Sequence, residues 1–201
     1  MFAVIRNFLG IVLAVSLIGC GVAGTTFVRP EPEFLKNGAT TYSEVAERFG
    51  VPYQGGSILK NGRAIKFAIY SYSALLAGHR ANPLSMRLLM LFFLDDNLVG
   101  HAFVSSWADD HTDFDETKIP QIVKDHSVRS QVVALLGPPS GYYRYPLIKE
   151  RRGEAAVYAY WEGDVSLTGT YSYEKELRVI LDENDVVTDV EFESVSRAER
   201  N

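Results

Sequence analysis

The chain repeats itself at an offset of 87 residues, and this limits its architecture more than any other feature. The segment Thr40-Thr41-Tyr42-Ser43-Glu44-Val45-Ala46-Glu47-Arg48-Phe49-Gly50-Val51-Pro52 aligns with Ser127-Val128-Arg129-Ser130-Gln131-Val132-Val133-Ala134-Leu135-Leu136-Gly137-Pro138-Pro139. Two further blocks follow in the same order. Tyr70-Ser71-Tyr72 aligns with Tyr158-Ala159-Tyr160, and Phe93-Leu94-Asp95-Asp96-Asn97 with Ile180-Leu181-Asp182-Glu183-Asn184. Three ordered blocks argue for a tandem of two related units.

Each unit reads as one short helix followed by strands. Thr41 with Glu44 three residues on forms a capping box. Tyr42, Val45 and Phe49 share one helical face. Gly50 supplies a helix stop and Pro52 prevents continuation. Asn61-Gly62 is a hairpin turn between Ser57-Ile58-Leu59 and the strand from Ile65 to Tyr72. Met86 to Leu94 is an apolar strand, turned by Asp95-Asp96-Asn97 into Leu98 to Ser105. The second unit gives a helix from Val128 to Leu136. Its strands fall near Tyr142 to Tyr145, Ala155 to Trp161, Tyr171 to Leu181 and Val186 to Glu193. The expected fold class is therefore α+β: two tandem units, each a helix on a four-stranded antiparallel sheet. A unit of about 80 residues buries only about 60% of its chain surface, so the two are expected to pack together.

Composition narrows the function classes. The chain has 201 residues, 47% of them hydrophobic, and a net charge of −5. That balance gives no electrostatic drive toward nucleic acid. A single cysteine excludes an intramolecular disulfide, a CxxC pair and a multi-cysteine zinc site.

That cysteine is Cys20. Arg6 is the one charge ahead of the apolar run Phe8 to Ile18, which is too short to span a bilayer. A charged start, a short apolar stretch and small residues make a secretory signal. Leu17-Ile18-Gly19-Cys20 resembles the bacterial lipobox. The resemblance implies cleavage before Cys20, a covalent lipid on its sulfur and, with Gly21 next, outer-membrane sorting in a Gram-negative cell. Removing Arg6 and no acid takes the charge from −5 to −6.

The expected organisation is a signal peptide over 1–19 and a lipidated tether over 20–33. A first unit over 34–108 is joined by an acidic linker, 109–121, to a second unit over 122–195, with a tail over 196–201. The lead-in Leu35-Lys36-Asn37-Gly38-Ala39-Thr40-Thr41, the pair Glu44-Val45 and the stop Gly50-Val51-Pro52 resemble the SmpA/OmlA (BamE-like) lipoprotein family. In the second unit Ile122-Val123-Lys124, Gln131-Val132, Gly137-Pro138-Pro139, Tyr158-Ala159-Tyr160 and Leu177-Arg178-Val179-Ile180-Leu181-Asp182 correspond. The tandem form is similar to the β-lactamase-inhibitor-protein architecture. The first resemblance implies a non-enzymatic, membrane-anchored module that binds an envelope protein in outer-membrane β-barrel assembly or envelope integrity. The second implies an alternative, an inhibitor of an envelope hydrolase.

No Gly-x-Ser-x-Gly elbow, HExxH or P-loop occurs, and no catalytic residue, cofactor or metal is expected beyond the lipid on Cys20. His79, His101, His111 and His126 lack ligand spacing. Asp109, Asp110, His111, Asp113, Asp115 and Glu116 read as a solvated linker, with a calcium loop as the rival. Seven of the 11 tyrosines lie between Tyr142 and Tyr173. Tyr and Trp are favoured at interfaces, so Tyr145, Arg152, Tyr158, Tyr160 and Trp161 are the candidate partner-binding residues.

Overall fold

The structure is a computed structural model that describes residues 22–75, 82–166 and 169–200. The leader, Cys20 and His79 lie outside the described residues.

Nine strands form one antiparallel sheet. They are β1 (Val22–Gly24), β2 (Gln54–Lys60), β3 (Arg63–Leu75), β4 (Asn82–Leu94), β5 (Asn97–Ser105), β6 (Gly141–Arg144), β7 (Glu154–Ser166), β8 (Gly169–Leu181) and β9 (Val187–Arg200). Helix α1 is Tyr42–Phe49, α2 is Arg129–Leu136, and a 3₁₀ turn spans Glu116–Gln121.

The repeat is visible in the backbone. Each helix has eight residues and buries one valine on the sheet, Val45 in α1 and Val132 in α2. Gly50 (φ 74°) and Gly137 (φ 84°) end the helices with positive φ. A single bridge ties each helix start to the far hairpin, Thr41 to Asn97 and Val128 to Val186. The Thr41–Glu44 capping box forms, with Glu44 Oε2 accepting from the Thr41 N–H at 2.7 Å. The second unit keeps half of it. Gln131 Oε1 accepts from the Val128 N–H at 3.0 Å, but valine has no side-chain oxygen to return the bond.

The expectation of an α+β fold of two tandem helix-plus-four-strand units packed together is overturned. Strand accounts for 52% of the described residues and helix for 13%, in a nine-stranded sheet with a closed four-strand barrel. The reason is an edge. In the first unit β2 pairs with β3 alone, whereas its counterpart β6 pairs with β7 on one side and with β5 on the other. Gly141 lies so close to the His101 carbonyl that a Cβ there would collide with it. That approach seals β6 onto β5 and fuses the two sheets. At the other end Leu84 pairs with Gly163, so β4, β5, β6 and β7 close into a ring.

Three apolar clusters result. One lies under α1 (Val45, Leu89, Leu91, Phe93) and one under α2 (Val132, Tyr158, Leu177, Leu181). The third fills the space where the units face each other, with Ile65, Phe67 and Leu88 in the same cluster as Val157, Trp161 and Ile180. The mutual packing expected of two marginal units is this third core.

Residues 22–33 do not hang free as a tether. Val22 pairs with Ala74 and Gly24 with Tyr72. The Phe27 ring meets Phe49 and Phe103 edge-on, each at 6.3 Å. Arg29 donates to the Pro139 carbonyl at 2.7 Å, joining this segment to the second unit, and Glu31 pairs with Arg48.

Candidate functional site

The long strands give the molecule two poles. At one, β1 joins the end of β3, beside the β4–β7 contact and the start of β8. At the other lie the Asn61-Gly62 and Asp95-Asp96 turns, the β6–β7 loop and the Asp182–Asp185 turn.

The β6–β7 loop is held from below. Asn61 donates its side-chain amide to the carbonyls of Pro146 and Ile148, both at 2.9 Å. Ile148 is buried and Leu147 packs against the shared core. The Tyr145–Pro146 peptide is cis. Above this base the Arg151 guanidinium lies 4.8 Å from the Tyr145 ring centre. The Arg152 side chain is 85% exposed, with Glu183 at 3.9 Å. Tyr145 and Arg152 therefore share one surface.

The other three candidate partner residues do not join it. Tyr158 is 2% exposed and lies under α2, where its hydroxyl donates to the Gly137 carbonyl at 3.0 Å. Burial pushes that phenol well above its ordinary pKa. Tyr160 shares the same sheet face, and its hydroxyl meets Glu162 Oε2 at 3.2 Å. Trp161 points to the opposite face, 7% exposed, lying against Gly163 where a Cβ would strike its ring. Period-two alternation separates Trp161 from its neighbour Tyr160.

Between the facing walls a groove of about 90 Å³ stays open. Leu88, Met90, Phe92 and Trp161 line its apolar side. Its rim is charged, and the charges answer one another. Arg178 pairs with Glu176 at 3.3 Å and Glu191 at 3.0 Å, and Arg197 with Glu174 at 2.9 Å. Burial raises Glu176 and Glu174 and lowers Lys60 from their ordinary values.

The acidic stretch at 109–116 is bound up in ion pairs. Arg87, 6% exposed, grips Asp109 through both oxygens at 3.0 Å and Asp110 through Nε at 2.8 Å. Lys175 holds Asp113 at 2.8 Å and Glu116 at 3.4 Å, and donates to the Phe114 carbonyl at 2.6 Å. Two basic residues on β4 and β8 thus clamp the connector between the units. Neither was marked by sequence reading. A lone Arg in the apolar run Met86 to Leu94 was the available signal, because a buried cation demands a carboxylate partner.

Among the described residues no group of three or more His, Cys, Asp or Glu side chains is arranged to hold a metal. His101 sits at the seam between the units, 6.1 Å ring to ring from Tyr142. Burial, with the nearby Arg29 charge, lowers its pKa to about 4. No described helix is long and apolar enough to cross a membrane. Comparison with family models, curated proteins and solved structures returned no match, so the SmpA/OmlA resemblance rests on the residues quoted for it.

Proposed function

We propose that this protein is a lipid-anchored interaction module of the bacterial envelope, docking on a partner protein through the β6–β7 loop. The observation that carries the reading is the rigid base under an exposed cationic tip. Asn61 and Ile148 fix the loop backbone, while Arg151 over the Tyr145 ring and the exposed Arg152 face solvent. A pre-ordered Tyr/Arg surface loses little freedom on binding, which is what makes such residues effective anchors. Its charge suits an acidic patch on the partner. The lipobox-like Leu17-Ile18-Gly19-Cys20 supplies the anchor.

An inhibitor that grips a hydrolase in a concave sheet needs that sheet open. Here the facing walls carry Ile65, Phe67, Val157 and Ile180 as packed core, and the groove left between them, about 90 Å³, is too small to seat a protein loop. The tip loop is therefore the better-supported surface. The SmpA/OmlA resemblance makes the β-barrel assembly machinery the first partner to test.

A photo-crosslinking side chain placed at Tyr145 or Arg152 in intact cells tests the docking. The expected result is one adduct of defined mass that disappears in an Arg151→Glu, Arg152→Glu background. No adduct, or one indifferent to that charge reversal, overturns the docking surface. A mature chain with no lipid mass on Cys20 overturns the anchor.

A further inference from the structure

We infer that the β1 pole rests on the lipid surface and that the segment from Val22 to Phe34 acts as a strap fixing it there. The inference rests on the anchor reading above and adds an orientation and a lipid-facing surface to it. Val22 is paired with Ala74 at the end of β3. Cys20 is two residues further on, so chain length limits its separation from Val22 to about 7 Å. A lipid there leaves the body no room to turn its other pole to the membrane.

The strap has little slack. Its contacts spread over both units: β1 on β3, Phe27 between Phe49 and Phe103, Arg29 on the Pro139 carbonyl, Phe34 against Phe49. Arg87 also donates to the Phe27 carbonyl at 3.3 Å.

The surface around β1 suits headgroups. Trp107 and Tyr72 stack in parallel at 5.7 Å, and Tyr72 is the residue paired with Gly24. Tyr171, 43% exposed, stands near the start of β8. Exposed Tyr171 is the residue suited to the boundary between lipid and water, its ring apolar and its hydroxyl polar. The half-buried stack of Tyr72 and Trp107, with the indole nitrogen covered, braces the strands behind it. Arg87 and Lys175 offset two of the four charges on the nearby carboxylates Asp109, Asp110, Asp113 and Glu116. This lowers their repulsion from a lipid surface. The ten residue steps of β8 from Tyr171 to Leu181 would then hold the tip loop about 34 Å farther from the bilayer.

The test uses the lipidated full-length protein in phosphatidylcholine vesicles carrying a headgroup nitroxide quencher. With Cys20 acylated, an added cysteine is the sole free thiol, so Tyr171→Cys, Glu199→Cys and Arg152→Cys can each be labelled with one fluorophore. Both Tyr171 and Glu199 are exposed, and Glu199 pairs with Thr170 at the same pole. Labels at Tyr171 and Glu199 are expected to be quenched several-fold more than a label at Arg152. Equal quenching, or stronger quenching at Arg152, overturns the orientation while co-flotation with vesicles leaves the anchor standing. If Cys20 itself takes the label and the protein does not float, the anchor reading fails instead. Adding Gly24→Val, which unseats β1, is expected to bring the Tyr171 signal down to the Arg152 level in protein that still floats. Unchanged quenching there overturns the strap.

Discussion

The Tyr158 hydroxyl donates to the Gly137 carbonyl at 3.0 Å, and one unit earlier Tyr70 does the same to Gly50 at 3.0 Å. Each bond satisfies the carbonyl of a helix-stop glycine and ties it to a sheet strand. The helices are too short to persist alone, so this tie and one buried valine hold each in place. Tyr158→Phe removes the donor and strands the carbonyl. A loss of about 1–2 kcal/mol in urea unfolding is expected, and about the same for Tyr70→Phe. Tyr158→Ala adds a cavity under α2 and should cost about 3–5 kcal/mol.

Arg87 yields a second prediction because its two partners differ in burial. The Asp110 side chain is 16% exposed and that of Asp109 is 71%. Arg87→Met keeps much of the apolar stem and removes the charge. Asp110 is then left largely desolvated without a cation, at a cost of about 3 kcal/mol. Asp109→Ala should cost less than about 1 kcal/mol, because an exposed carboxylate is already solvated. Arg87→Met combined with Asp110→Asn should recover much of the loss. Denaturant titration of the four proteins checks the order.

The local elements were legible in the sequence. Gly50-Val51-Pro52 and Gly137-Pro138-Pro139 marked the helix ends, Asn61-Gly62 the hairpin, and the 87-residue offset the duplication. How the sheets join was not. That depends on a four-residue strand, Gly141–Arg144, with no periodicity to read and two edges to offer. The close approach of Gly141 to His101 decides it, and no local signal encodes that approach. The strap looks like a free tether in the sequence for a similar reason. Its Pro and Thr content suggested extension, while its fixation depends on Arg29 reaching Pro139, 110 residues away. In the candidate partner surface, Tyr145 and Arg152 fell together because both belong to one loop. Tyr158 and Trp161 were drawn inward by cores that composition alone does not locate.

His101 gives a pH prediction whose sign can be worked out. Its pKa is lowered to about 4 in the folded protein, against an ordinary value of 6.5. Below 6.5 the unfolded chain takes up a proton that the folded chain refuses, so stability falls with pH. The contribution is intact above 6.5 and is lost progressively toward 4. Across that window the loss approaches about 3 kcal/mol at most. Glu174 and Glu176, raised by burial, act in the opposite sense and gain stability on protonation. His101→Gln removes the first effect and keeps the others. The stability difference between the parent and His101→Gln should therefore shift against the parent as pH falls from 7 to 4, as read by urea unfolding at each pH.

Gly24 is the point at which the strap can be released without substituting a residue of the three cores. Its φ is +87°, in the left-handed region that favours glycine, and a Cβ would collide with the Ser71 carbonyl oxygen. Both facts act on β1 alone, a strand of three residues. Gly24→Ala should unseat Val22–Gly24 and expose the chain ahead of Phe27. Chymotrypsin would then cut after Phe27 much faster than in the parent, while the denaturation midpoint moves little, because β1 contributes few of the contacts that hold β3. If the midpoint fell as much as in Tyr158→Ala, β1 would be part of the main folding unit, not a strap laid on it. If cleavage were unchanged, Phe27 and Arg29 would be holding the segment without help from the strand.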